Sequence, residues 1–113
     1  MTLFNPSQQV QQQQPIKFPG GATITEFSLS ATPTIILPDR SAGNNRRGLM
    51  VFNDGTANAL FSYGTTISAT AFTAELLPGG YIEDSPSAPW QGPAVMRSTA
   101  SPTTVNVTEI MLL

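Results

Sequence analysis

Ten prolines and nine glycines punctuate a chain of 113 residues, and together with the patterning between them they predict no helix of three turns. Proline removes a backbone donor and breaks an interior helical turn. Between these marks, apolar and polar residues alternate with the period of a strand. The stretch Arg46 to Gly64 carries the pattern best. Leu49 to Phe52 is a short apolar run ended by Asn53-Asp54-Gly55, which is strand chemistry followed by turn chemistry. Ala59, Phe61 and Tyr63 then alternate with Leu60 and Ser62 up to Gly64. The two runs read as a hairpin at the centre of the fold. Leu49 and Val51 point one way, Met50 and Phe52 the other. A strand apolar on both faces belongs inside a sheet rather than at a solvated edge.

Other segments repeat the pattern. Thr25, Phe27 and Leu29 alternate with Glu26, Ser28 and Ser30. Thr34 to Leu37 is fenced by Pro33 and Pro38, which suggests strand ends or an edge. Phe72 to Leu77 reads as a strand or a short helical turn. Pro78-Gly79-Gly80 turns the chain into the short extended run Tyr81 to Glu83. Asp84 to Pro93 reads as a loop of polyproline character. Ala94 to Ser98 and Thr103 to Leu113 are the last strands. In the final one, Val105 and Val107 share a face, but Ile110 and Leu112 fall on the opposite parity. A bulge near Thr108 or Glu109 would restore them to the core. About seven or eight short strands, with turns about every eight to twelve residues, predict an antiparallel β-sandwich of jelly-roll or immunoglobulin-like type.

Residues 1–20 differ. Gln8, Gln9 and Gln11 to Gln14 form a polar tract broken by Pro6, Pro15 and Pro19. Leu3, Phe4, Ile16 and Phe18 are scattered through it. The segment reads as an extended N-terminal arm before a domain of residues 21–113. It is either a disordered tail or an arm that orders on a partner surface and buries those four side chains.

Composition excludes several chemistries. There is no cysteine and no histidine. Disulfides, thiolate metal sites and Ser-His or Cys-His catalysis are therefore out of reach. No catalytic, cofactor or metal site is expected, and the chain is not expected to be an enzyme. Lys and Arg total five against seven acids, which supplies no basic stripe for nucleic acid. No run approaches a membrane span, and the N-terminus lacks the pattern of a secretory leader. Charged residues are 11% of the chain, against about 25% on average. That fits either a Thr-rich β surface or a surface covered by partners, since interface cores are depleted in charge.

A few residues invite a role. Arg46 and Arg47 stand at a strand entrance, as partners for a neighbour's carboxylates or as ordinary strand-end charges. Trp90 between prolines is an exposed interface anchor or a lid folded over one end of the sandwich. Glu83-Asp84 lacks calcium-loop spacing and reads as a solvated turn. Asn106-Val107-Thr108 matches a glycosylation sequon inside a predicted strand, where a chance match is the better reading.

Several motifs resemble small virion structural proteins of tailed bacteriophages. They are Asn45-Arg46-Arg47-Gly48-Leu49, Phe52-Asn53-Asp54-Gly55, Leu60-Phe61-Ser62-Tyr63-Gly64, Leu77-Pro78-Gly79-Gly80-Tyr81-Ile82-Glu83 and Thr104-Val105-Asn106-Val107-Thr108-Glu109. The resemblance runs from Arg46 to Ile110 and rests on strand and turn residues. It implies a β-sandwich used as a capsid decoration or cement subunit, often trimeric. Its partners would be the major capsid protein or other virion subunits, and its place the capsid surface after assembly in the host cytoplasm. The alternatives are a neck, tail or fibre-base component, or a glycan- or receptor-binding module with Trp90 and Tyr81 as stacking platforms.

Overall fold

A computed structural model describes residues 21–85 and 87–112. Its eight strands are β1 (Ala22–Leu29), β2 (Thr34–Leu37), β3 (Arg46–Asn53), β4 (Ala59–Tyr63), β5 (Ala74–Leu76), β6 (Tyr81–Glu83), β7 (Ala94–Ser98) and β8 (Thr103–Met111). They form two four-stranded antiparallel sheets, ordered β1-β8-β3-β6 and β2-β7-β4-β5. No helix occurs among the described residues. The chain is an all-β sandwich, and the two strand orders are those of a jelly roll, in which the chain passes repeatedly between the sheets.

The core lies between the sheets. Leu29, Leu49, Val51, Val105 and Val107 enter from the first, and Leu37, Phe61, Leu76, Ala94 and Met96 from the second. Each fully buried large side chain contributes about 1.5–3 kcal/mol. On the outer face of the second sheet, Leu60 is also buried. Its cross-strand partners are Arg97 and Glu75, whose long stems can cover an apolar neighbour while their charges stay in water.

Two details of the sequence reading are corrected. The run Arg46 to Gly64 is not a hairpin, because β3 and β4 lie in different sheets. The residues between them form an arch that brings Val51 and Phe61 together in the core. Asn53 anchors this arch. Its amide nitrogen donates to the carbonyls of Ala57 and Leu76 at 2.8 and 2.9 Å. Its amide oxygen accepts from the Gly55 backbone and the Thr103 hydroxyl, both at 3.0 Å. The arch runs so close to β8 that a Cβ on Gly55 would lie 1.9 Å from the Thr103 oxygen, so only glycine fits.

The bulge is also elsewhere. β8 pairs with β1 in unbroken register, and the irregularity falls on β3 between Arg46 and Gly48. Ile110 consequently stays on the outer face, where its Cδ1 lies 3.3 Å from a Cβ built on Gly48. Glu109 takes the inward position and is buried. The sequence reading assigned that place to an apolar side chain, but two arginines make the carboxylate tolerable there.

Candidate interaction surface

Arg46, the first residue of β3, is fully buried. Its Nε donates to Glu109 Oε2 at 2.8 Å. Its Nη1 donates to the carbonyls of Trp90 and Gly92, and its Nη2 to that of Pro38, at 3.0, 2.7 and 2.6 Å. Arg40 grips the same carboxylate with two bonds of 3.0 Å. Burial alone would raise the Glu109 pKa. The hydrogen bonds from Arg40 and Arg46, and the arginines' charges, outweigh burial and hold it below its ordinary value of 4.5. Arg46 thus fastens two loops to the strand and has no surface to offer a partner. It leaves the set of expected contact residues for that physical reason.

Trp90 shares the features of both earlier readings. Its backbone N–H donates to Asp84, and its indole N–H donates to the Pro93 carbonyl at 2.8 Å. Its ring packs 5.2 Å from that of Tyr63, which stands edge-on to buried Phe61 at 5.1 Å. It therefore closes one end of the sandwich while remaining 39% exposed. Asp84 is more than a solvated turn, since it also accepts from the Tyr63 hydroxyl at 3.0 Å. Burial, then that bond, raises the Tyr63 pKa. Arg47 remains partly exposed, with Nη1 bonded to the carbonyls of Asn44 and Arg46. Leu3, Phe4, Ile16 and Phe18 lie outside the described residues.

The broadest candidate surface is the outer face of the β1-β8-β3-β6 sheet. Strand register sets its side chains in rows. Glu26, Asn106, Phe52 and Tyr81 form one row, and Ile24, Thr108, Met50 and Glu83 the next. Ala22, Ile110 and Gly48 form a third. These rows span roughly 14 Å across the strands at about 4.8 Å per strand. Ile24 is 69% exposed and Tyr81 60%. The acids lie on the two edge strands beside Ile24 and Tyr81, the inner strands carry Met50, Phe52 and Ile110 with Asn106 and Thr108, and no Lys or Arg stands in the rows. A face that mixes apolar side chains with two edge-strand acids suits a protein surface carrying basic side chains.

Sequence reading put Met50 and Phe52 on one face, without saying which face was outward, and did not find that Ile24 and Tyr81 share it. That depends on the pairing of β1 and β6 with strands distant in sequence. Tyr81 and Trp90 are not brought together. Tyr81 pairs with Phe52 at one end of β3, and Trp90 holds Arg46 at the other, about 20 Å away along a strand.

The chain matches no protein-family model, no curated protein and no solved structure. The likeness to phage virion proteins therefore rests on the strand and turn residues alone.

Proposed function

We propose that this protein is a virion structural protein, a head decoration (cement) subunit that binds the outer surface of a phage capsid. The observation that carries the reading is the outer face built around Ile24, Met50, Phe52, Tyr81 and Ile110. An exposed apolar sheet face of this kind marks a site for protein contact. The jelly roll is one of the architectures that capsid and lectin domains share, so the fold agrees with the reading without establishing it. In this reading the face seats on capsid subunits, and the arm, with Leu3 and Phe4 near its far end, fastens the domain to a neighbour. Homotrimers would place three such faces side by side. A subunit that binds only the assembled shell stabilises it by mass action. A neck, tail or fibre-base role uses the same surface at lower copy number. The separation of Tyr81 from Trp90 speaks against a shared glycan-stacking site.

The test is to locate the protein in intact particles by electron cryomicroscopy and count its copies. A cement protein should decorate the shell lattice throughout. Density confined to the neck or tail would select the alternative, and absence from particles would end the proposal. Tyr81→Glu combined with Ile24→Glu should abolish attachment while leaving the β-sheet dichroism spectrum unchanged.

A further inference from the structure

We infer that the open edge of β1 is a pairing site for the same strand of a second copy of this chain, joined antiparallel across a two-fold axis at Thr25. The four edge strands of the sandwich differ. β2, β5 and β6 are four, three and three residues long, and Pro33 and Pro38 fence β2. Short length and proline are devices that blunt an edge against pairing. β1 has neither. It is eight residues long, holds no proline or lysine, and runs in unbroken register with β8. Among the described residues it pairs on that side only. One unblunted edge beside three blunted ones is a template for another strand.

Backbone direction fixes which groups await a partner. The Met111 N–H donates to the Gly21 carbonyl at 3.2 Å. That carbonyl and the Ala22 N–H belong to one peptide plane and point opposite ways, so the Ala22 N–H faces the open edge. Strand alternation sends the N–H and C=O of Ile24, Glu26 and Ser28 the same way. Those of Thr23, Thr25 and Phe27 turn to β8, opposite Glu109, Val107 and Val105.

Symmetry then selects the register. In a two-fold pair every contact occurs twice, and an antiparallel ladder alternates between bonded and unbonded pairs. One residue of β1 must therefore lie opposite its own copy. With Thr25 on the axis, Ile24 meets Glu26 of the second copy, and Ala22 meets its Ser28. All four waiting residues are then bonded, through roughly eight hydrogen bonds. Moving the axis to Ile24 leaves Ser28 without a partner in β1. Moving it to Glu26 leaves Ala22 without one and sets two carboxylates face to face, which is destabilising.

Side chains agree with that register. Thr25 stands across from its own copy, and cross-strand threonine pairs are favourable. Glu26, the one charged residue of β1, faces Ile24 of the second copy rather than another acid. Ile24, the most exposed large apolar residue described, gains a cross-strand neighbour. On the inner side, Thr23 and Thr25 share the parity of buried Leu29 yet are exposed. With Phe27 they roof a groove beside Ile36 and Arg40. The second copy continues this roof, because a two-fold axis perpendicular to the sheet keeps both second sheets on one side of it. The outer faces of the two copies become one continuous sheet. Such a contact joins single chains or whole trimers alike, so the pairing does not depend on the virion reading.

The test uses the full chain, in which an introduced cysteine has no native competitor. Thr25→Cys sets one thiol opposite its copy in a non-hydrogen-bonded pair, whose Cα separation of about 4.5 Å permits a disulfide. Mild oxidation should link most chains into disulfide dimers. Thr23→Cys, also exposed, stands about 14 Å from its copy in this register and should stay reduced. Equal yields from the two variants, or no dimer from Thr25→Cys, would overturn the inference. Light scattering at micromolar concentration gives a separate reading. Glu26→Pro removes an N–H that faces the open edge and that β8 does not use, a placement strands tolerate. It should halve the mass of the parent particle while the β-sheet dichroism spectrum stays intact. A mass unchanged by Glu26→Pro would overturn the pairing. A parent that is monomeric at that concentration would also overturn it, and would leave the edge to another occupant.

Discussion

β3 begins and ends in a buried polar residue, and its two ends are held by different physics. At its start, Arg46 meets Glu109 and three loop carbonyls inside the sandwich. At its end, Asn53 is fully buried and satisfies both sides of its amide. Its backbone is also paired, donating to the Gly80 carbonyl and accepting from the Gly79 N–H, each at 2.9 Å. Both ends solve one problem: loops crossing between sheets leave carbonyls that must find donors. The charged end gathers two loops with one side chain, at the cost of a buried ion pair. The neutral end gathers a tight arch and a turn without any desolvated charge. The comparison predicts unequal sensitivity to substitution, and a pH dependence at the charged end only.

The largest effect should come from Arg46→Met. It fills similar space but leaves the carbonyls of Pro38, Trp90 and Gly92 without their donor, and Glu109 with Arg40 alone. Breaking one side of a buried pair typically costs about 3–5 kcal/mol, a large part of a small domain's stability. Urea unfolding at neutral pH should show the midpoint falling accordingly. A loss under about 1 kcal/mol would mean that the loops hold themselves.

Asn53→Ala should cost less. The side chain is neutral, and the groups left behind are the carbonyls of Ala57 and Leu76, the Gly55 N–H and the Thr103 hydroxyl. An unsatisfied buried partner costs about 1–3 kcal/mol, and movement of the arch can admit water to some of them. Among the described residues no ionisable side chain hydrogen-bonds Asn53. The loss measured by urea unfolding should therefore be the same at pH 7 and pH 4.

The two ends were unequally legible in the sequence. Asn53-Asp54-Gly55 announced a turn by composition, and a turn stands there. Its use as an arch was hidden, because local chemistry does not say whether the next strand joins the same sheet. The resolving contact, Asn53 to Thr103, spans half the chain. The Arg46 end was misread for a related reason. A charged residue at a strand entrance looks solvated until Glu109, far along the chain, is placed beside it. The parity slip between Val107 and Ile110 was visible, and a bulge seemed its natural cure. The slip marks instead the position where a carboxylate enters the core. Strand number, the core face of Val105 and Val107, and the shared face of Leu49 and Val51 were read directly, since period two depends on neighbours alone. The outer face required sheet order, which period two does not encode.

Arg40→Gln should give the smallest effect at neutral pH and the sharpest test of the comparison. The Arg40 side chain is 35% exposed, so solvent screens its pair with Glu109, and about 0.2–1 kcal/mol is expected at pH 7. Its influence should appear in acid. The folded-state pKa of Glu109 lies below its unfolded value near 4.5. A depressed carboxyl contributes stability that is present above the unfolded pKa and is lost as pH falls through the folded one. Removing Arg40 takes away one of the two cations that oppose the upward pull of burial. The folded pKa should then rise toward 4.5, and Glu109 should contribute less of its own stability. The difference between parent and Arg40→Gln should accordingly shrink as pH falls below the parent's Glu109 pKa, where both carry a protonated Glu109. In an Asn53→Ala background the same pH dependence should persist unchanged, because the two ends share no ionisable group. Urea midpoints measured from pH 7 to pH 3 would decide it. An Arg40→Gln offset that stays constant across that range would show that Arg40 acts by packing rather than by charge.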